Sequence, residues 1–404
     1  MNQSKQVIVV GGGAAGMMAA ITARRRGAHV TILEKNPRVG KKILATGNGR
    51  CNFTNIHADH ADYHGNNPEF ARSALTSFTV TDTIRFFEKL GITPKVEDFG
   101  KVFPMSDQAS SILDVLLYEL NRLQVEIICN AVVAEITKEE QQFKIRLQDG
   151  PVYRGDRVII ATGGKAMPAS GSDGSGYDLA RKLGHTITAL FPALVQLMLE
   201  GSYFQRIAGV KFVGTAEIIH HGQSLAQDRG DILFANYGVS GPPIFQLSRK
   251  AGELLHAGKE AYLKITLLDR FSKAELSELI KKRFQASPQK PVDISLVGLI
   301  NKRLIPVLLS EAGIKDLKRP VAALSASEQA GISNILNDWR FKIRGTKSWP
   351  SAQVTAGGVA TTEIEANTME SKLVKGLFFA GEIIDIDGDC GGFNLKWAWS
   401  SGFV

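Results

Sequence analysis

Residues 5–35 read KQVIVVGGGAAGMMAAITARRRGAHVTILEK, and their types and spacing suit an extended phosphate ester. Gly11, Gly13 and Gly16 form a G-x-G-x-x-G. The first glycine permits a tight turn, the second lets a diphosphate approach the backbone, and the third lets a helix pack close to a strand. Ala14 and Ala15 open the following helix, where unpaired N–H groups and the positive end of the helix dipole favour phosphate. Glu34 comes 23 residues after Gly11. A carboxylate there accepts hydrogen bonds from an adenosine ribose and disfavours a 2′-phosphate. Lys35 beside it belongs to the same binding set. The chemistry indicated is dinucleotide binding.

Elements of the right kind surround these residues. QVIVV is a short β-branched run suited to a buried parallel strand. AAGMMAAITARRRGA has helical composition and ends near Gly27, and HVTILEK is a second strand. Three further segments favour FAD over NAD. NPRVGKKILATGNGRCNFTN (36–55) stands where a dehydrogenase would begin its next helix; it reads instead as a long loop along an extended cofactor, with Gly47 in it and Lys41, Lys42 and Arg50 near phosphate or flavin oxygens. DRVIIATGG (156–164) is a strand whose end, Ala161-Thr162-Gly163, matches the second signature of flavoproteins with two dinucleotide-binding segments. GLFFAGE (376–382) resembles their last signature, with Gly381 at the turn and Glu382 reaching the ribityl chain. VEIICNAVVAEI (125–136) supplies a strand that lays Val133 against adenine. Beyond Glu382, IIDIDGDC reads as an acidic turn, whose Asp385 and Asp387 either attract a cationic amine or are simply solvated. Gly392, Phe393, Asn394 and Leu395 then start a helix whose N-terminal dipole points at the flavin pyrimidine. That helix reaches the end of the chain at Val404, where packing must hold it if it is not cut short.

Composition bounds the rest. With 404 residues, 44% hydrophobic and 22% charged, the chain is long enough for two or three globular domains. No apolar run approaches the ~20 residues of a membrane span, and a cytoplasmic protein is expected. Cys51, Cys129 and Cys390 are odd in number and far apart, which argues against a disulfide framework, a zinc site or a dithiol pair. No metal site is expected; His57, His60 and His64 read as loop residues, and adjacent His220 and His221 on a strand would face opposite ways. The net charge of +8 lies entirely in residues 200–349, which hold 22 Lys and Arg against 14 Asp and Glu. A solvated surface, an anionic partner or an RNA-binding face are the alternatives.

Taken together, GKKILATGNGRCNFTN, GKVFPMSDQASSILDVL (100–116), ATGGKAMPASGSDGSGYDLARKLGH (161–185), FANYGVSGPPIFQLS (234–248), TAGGVATTEI (355–364) and AGEIIDIDGDCGGFNLKWAWSSG resemble the aminoacetone oxidase-like, or HI0933-like, FAD-binding family over essentially the whole chain. Asn236 departs from the His that the family motif often carries. The resemblance implies an α/β, Rossmann-like two-dinucleotide-binding FAD domain, split over 1–194 and 350–404. It places an insertion at 195–349, with a β subdomain (195–268 and about 335–349) and a helical one (269–334). It implies an oxidase of a small primary amine: aminoacetone would lose hydride to flavin N5 and oxygen would be reduced to peroxide. No second G-x-G-x-x-G after a strand marks a nicotinamide domain, which fits an oxidase, although nicotinamide also binds flavoproteins that lack one. Lys42 and Lys396 are the candidates for catalytic cations beside the flavin, and Tyr237 and Ser240 for the substrate pocket. Two alternatives stand: an NAD(P)H-dependent flavin reductase of an enone-type substrate and, more distantly, an RNA-binding or RNA-modifying flavoprotein. The partners expected are a small amine and oxygen, with neither nucleic acid nor membrane.

Overall fold

The computed structural model describes residues 4–404. The chain lays down four strands of one sheet, β1 (Gln6–Val10), β2 (His29–Leu33), β3 (Glu126–Ile128) and β4 (Arg157–Ile160). It then builds a six-stranded barrel, β5 (Leu197–Leu199), β6 (Lys211–His220), β7 (Gln223–Ala235), β8 (Gly238–Ser240), β9 (Tyr262–Thr266) and β10 (Trp339–Thr346). It returns to the first sheet as β11 (Leu377–Phe379). Two compact units result, one holding the residues up to Pro192 with Trp349–Val404, the other Ala193–Ser348.

In the first unit the parallel sheet runs β11–β4–β1–β2–β3. Central β1 pairs Val7–Val10 with Arg157–Ile160 on one side and with Val30–Leu33 on the other. Buried on both faces, it reads as the unbroken apolar run expected of a parallel strand. Helix α1 (Ala14–Arg25) makes the crossover from β1 to β2, and α2 (Ala109–Arg122) precedes β3. This unit is the Rossmann-like α/β domain expected from the sequence. A three-stranded antiparallel sheet (Val133–Glu139, Gln142–Leu147, Val152–Gly155) precedes β4.

In the second unit the barrel closes in the order β5–β8–β7–β6–β9–β10, β5 and β10 making the last pairing. Helix α3 (Pro242–His256) follows β8; α4 (Lys273–Gln285) and α5 (Ala326–Asn337) lie between β9 and β10. Phe234, Trp339 and Phe341 from the barrel share one continuous core with Ile280, Phe284 and Leu336 from these helices. The apolar stretch 292–314 does not form one long helix. It breaks into Val292–Ser295 and Ile305–Glu311, and Pro306 starts the second because a missing N–H costs nothing in a first turn. His220 and His221 do not face opposite ways. His221 turns with φ +48° at the hairpin tip, leaving the ring centres 4.1 Å apart.

A candidate flavin site

The glycines after β1 divide the labour differently from one another. Gly11 has φ +103°, and a Cβ there would lie 2.6 Å from the Ala161 carbonyl at the end of β4. At Gly16 a Cβ would lie 1.9 Å from the Gly11 carbonyl. Both positions are thus closed by the protein itself. A Cβ on Gly13 would meet nothing within 4 Å, and no side chain caps the helix that Gly13 precedes. The Gly13-Ala14-Ala15 step is therefore an open backbone surface at the positive end of α1, where a diphosphate fits.

Glu34 follows the last residue of β2 and has 7% of its surface exposed. One carboxylate oxygen accepts the Gly12 N–H at 2.8 Å; the other accepts the backbone N–H of Asn36 at 2.8 Å and its side-chain amide at 2.7 Å. Asn36, which sequence reasoning missed, thus orients the Glu34 carboxylate. Asn130 and Ala131 donate to the carbonyls of Asn36 and Glu34, which brings Val132 and Val133 to this end. Exposed Val132 is an apolar surface suited to adenine. Lys35 does not stay with Glu34: its ammonium is 2.5 Å from Asp173 and also donates to Ser175.

The other end is built by α6 (Phe393–Phe403) and the loop after β2 (α6 follows α5 in chain order). Lys42 and Glu382 make an ion pair at 2.7 Å. The second oxygen of Glu382 accepts the Thr355 N–H at 2.9 Å, while the Thr355 hydroxyl accepts from Lys165 and Ala166 N–H. Gly381 has φ +78°, and a Cβ there would sit 2.7 Å from that of Ala15. Its N–H donates to Ser401 and its carbonyl accepts the Trp397 indole N–H, so α6 holds this turn against α1. In the loop, Gly47, Asn48, Gly49 and Cys51 all take left-handed backbone, and half-buried Lys41 and Lys42 precede them. Cys51 is fully enclosed, and burial pushes its thiol up to about 12. Gly392, φ +103°, starts α6 without a side-chain cap, and a Cβ there would meet the Thr54 carbonyl at 2.5 Å. Asn394 clamps the preceding turn through Gly388, the Phe393 carbonyl accepts the Tyr63 hydroxyl at 3.1 Å, and Leu395 stays half-buried.

Several expected residues go elsewhere. Arg50 pairs with Glu97 and Asp107 and stacks 4.0 Å over Phe103, so its charge is engaged by the protein itself. Lys396 is 1% exposed. Its ammonium donates to the Phe78 carbonyl and to Ser400, and burial lowers it to about 7, with Asp82 opposing the shift. It has no open face here for a ligand. Asp385 and Asp387 are 2% and 1% exposed, neither a solvated turn nor a surface lure for amines. Asp385 accepts the Asn66 N–H, and Asp387 pairs with His64 in a short antiparallel bridge. His64 itself is 2.6 Å from Asp389, and His60 is 2.6 Å from Asp59. No group of side chains among the described residues could hold a metal ion. Tyr237 and Ser240 belong to the barrel unit, beside Lys347, whose ammonium lies 4.5 Å from the Tyr237 ring centre. Burial raises the Tyr237 phenol, and its bond with Ser240 opposes that shift.

An open, uncapped glycine–helix step, a buried carboxylate where a ribose would lie and a second acid at the Gly381 turn together fit FAD, the cofactor of flavin-dependent oxidoreductases. The chain belongs to the family described as HI0933-like protein Rossmann domain, which it matches over residues 5–404. It is 40% identical over 388 residues to the 3-dehydro-bile acid delta(4,6)-reductase of Clostridium scindens, covering 96% of this chain and 94% of that protein. It is 32% identical to the ribosomal RNA dihydrouridine synthase of Escherichia coli, over 95% of this chain and 92% of that one. Among solved structures, the 3-ketosteroid-delta4-(5alpha)-dehydrogenase of Rhodococcus jostii aligns over all of this chain and 96% of that one, at 15% identity and a TM-score of 0.47. No helix among the described residues is long and apolar enough to cross a membrane.

Proposed function

We propose that the protein is an NAD(P)H-dependent flavin reductase of a carbon–carbon double bond conjugated to a carbonyl group. The observation that carries this is the kind of reaction that the two relatives' names describe. A 3-oxo bile acid with double bonds at positions 4 and 6, and a uracil ring, both present an alkene conjugated to a carbonyl. The two relatives span nearly the whole chain, which supports carrying the chemistry their names share over to this one. The amine-oxidase reading rests on resemblance alone, and neither relative's name describes an amine oxidase. Of the two substrate classes we favour a fused-ring steroid enone, because the reductase is the more similar relative.

When bound, FAD supplies two-electron chemistry between a nicotinamide and the alkene. The chain's own residues supply binding and electrostatics. The α1 N terminus and Gly13 would take the diphosphate, Glu34 the adenosine ribose, and Glu382, held by Lys42 and Thr355 N–H, the ribityl hydroxyls. The uncapped N terminus of α6 would offer positive dipole to a negatively charged reduced flavin ring. Overall, NAD(P)H gives a hydride and solvent a proton; the alkene becomes a saturated bond and the nicotinamide is oxidised. A cytoplasmic location, where reduced nicotinamide is supplied, accords with this reading.

The test is turnover under nitrogen with NADH or NADPH and, in separate arms, a 3-oxo-Δ4,6 steroid acid, a uridine-containing ribosomal RNA fragment and aminoacetone. Nicotinamide oxidation that depends on the steroid, with the saturated product, is the expected result. Product only in the RNA arm would move the substrate to a nucleobase. Flavin bleaching by aminoacetone alone, with peroxide on admitting air, would restore the amine oxidase.

A further inference from the structure

Phe99 is the most exposed large apolar side chain among the described residues, at 81%. It stands at the tip of the turn Asp98–Gly100, between Pro94–Val96 and Lys101–Pro104 of a three-stranded antiparallel sheet whose third strand is Thr54–Asn55. Its backbone is left-handed, φ +59° and ψ 26°, a conformation that bulky residues rarely adopt. Packing does not explain an aromatic there, since the ring buries almost nothing. Glycine or asparagine would suit the backbone better. Strain of this kind persists where the surroundings over-determine it, and it gathers at ligand sites.

The surroundings show which site. The Asn55 side-chain amide donates to the Phe99 carbonyl at 3.0 Å and to the Gly391 carbonyl at 2.9 Å. One amide therefore ties the Phe99 turn to the Gly391-Gly392 step that opens α6. Lys101 spans the same gap: its ammonium is 5.6 Å from the Phe99 ring centre, and its Cε lies 3.7 Å from where a Gly391 Cβ would be. Ile56, whose N–H donates to the Gly100 carbonyl, is also exposed, as is Val96 on the same small sheet. The apolar tip is thus continuous with the pyrimidine end of the candidate flavin site.

We propose that Phe99 is a specificity-determining residue that stacks on the flat, apolar ring system of the substrate, beyond the enone ring that reacts. This rests on the enone-reductase reading above. A fused-ring steroid would cover the Phe99 ring; a single-ring enone would not reach it. Burial of the Phe99 ring against such aliphatic rings is expected to contribute up to about tenfold in affinity.

The test uses the full-length holoenzyme and Phe99→Gly, which suits the left-handed backbone and so retains the fold. Testosterone and cyclohex-2-enone serve as the fused-ring and single-ring probes. Phe99→Gly is expected to raise KM for testosterone about tenfold while kcat changes less than twofold, so that its kcat/KM advantage over cyclohex-2-enone shrinks about tenfold. Phe99→Trp should restore it. Tyr118→Ala, which removes another exposed aromatic from α2, should change neither value. Steroid Kd, read from perturbation of the bound flavin spectrum, needs no turnover and separates the two claims. If the wild type binds testosterone but reduces neither enone, the reaction assignment fails and the Kd ratio still decides on Phe99. Equal testosterone Kd in wild type and Phe99→Gly, or no steroid binding to the wild type, overturns the stacking role.

Discussion

The two units keep their unusual features in different currencies, backbone in one and charge in the other. Of eleven non-glycine residues with left-handed backbone among the described residues, nine lie in the Rossmann-like unit, among them Asn48, Cys51 and Phe99; the other two, Leu194 and His221, lie in the barrel unit. The excess of positive charge is the reverse, all of it within residues 200–349. Several of the 22 basic residues there are nonetheless paired within the segment. Lys211 pairs with Asp231, Arg229 with Asp269, Lys264 with Glu217, Arg340 with Asp338 and Lys342 with Glu260. Exposed pairs of this kind contribute little to stability. The contrast teaches that a cofactor site is specified by where the backbone is forced to go, whereas a charged surface is specified by composition and tolerates change.

Substitutions can break this contrast, and the largest effect is expected where the protein closes on itself. Gly16→Val would drive a side chain into the Gly11 carbonyl, costing ~3 kcal/mol or more. The expected outcome is little soluble protein and no bound flavin. Gly13→Ala meets open space, so it should leave the melting temperature of flavin-free protein unchanged while weakening flavin binding at least about tenfold on titration. Equal loss of folding in both variants would show that the loop is a packing device only. Glu382→Gln comes next. It leaves Lys42 without its counter-charge and should weaken flavin binding by roughly 1–2 kcal/mol, read by the same titration.

Lys396 sharpens the comparison through pH. Burial lowers its folded-state value to about 7, below the ordinary 10.5 that the unfolded chain retains. Between these values the unfolded state holds more protons, so this residue makes stability rise with pH from about 7 upward and leaves its full penalty in place below 7. Urea midpoints of the holoenzyme should therefore climb between pH 7 and 9, and Lys396→Met should flatten that climb. The smallest effect belongs to the barrel surface: Arg340→Gln with Lys342→Gln should leave both melting temperature and flavin content unchanged.

Much of the site was legible because its determinants are local. Gly11 to Glu34 spans one strand–helix–strand unit, so periodicity and glycine spacing identify it without long-range information. The strand ends at Ala161 and Gly381 carry recognisable short patterns for the same reason. Illegible were the assignments settled by partners far along the chain. Arg50 could not be known to prefer Glu97 and Asp107, nor Lys42 to meet Glu382, 340 residues away. Asp385 and Asp387 look like a solvated acidic turn until the bridge to His64 and the Asn66 N–H enclose them. Phe99 sits in a stretch whose composition gives no hint that its backbone is left-handed.

The central claim, that this framework reduces a conjugated alkene, is most directly tested by an anaerobic single turnover. The enzyme's flavin is reduced with one equivalent of NADPH, or with dithionite if nicotinamide reacts slowly, and a 3-oxo-Δ4,6 steroid acid is then added. The predicted result is reoxidation of the flavin spectrum, with one carbon–carbon double bond of the steroid reduced per flavin. Flavin that stays reduced with the steroid, yet bleaches from its oxidised form on mixing with aminoacetone, would contradict it.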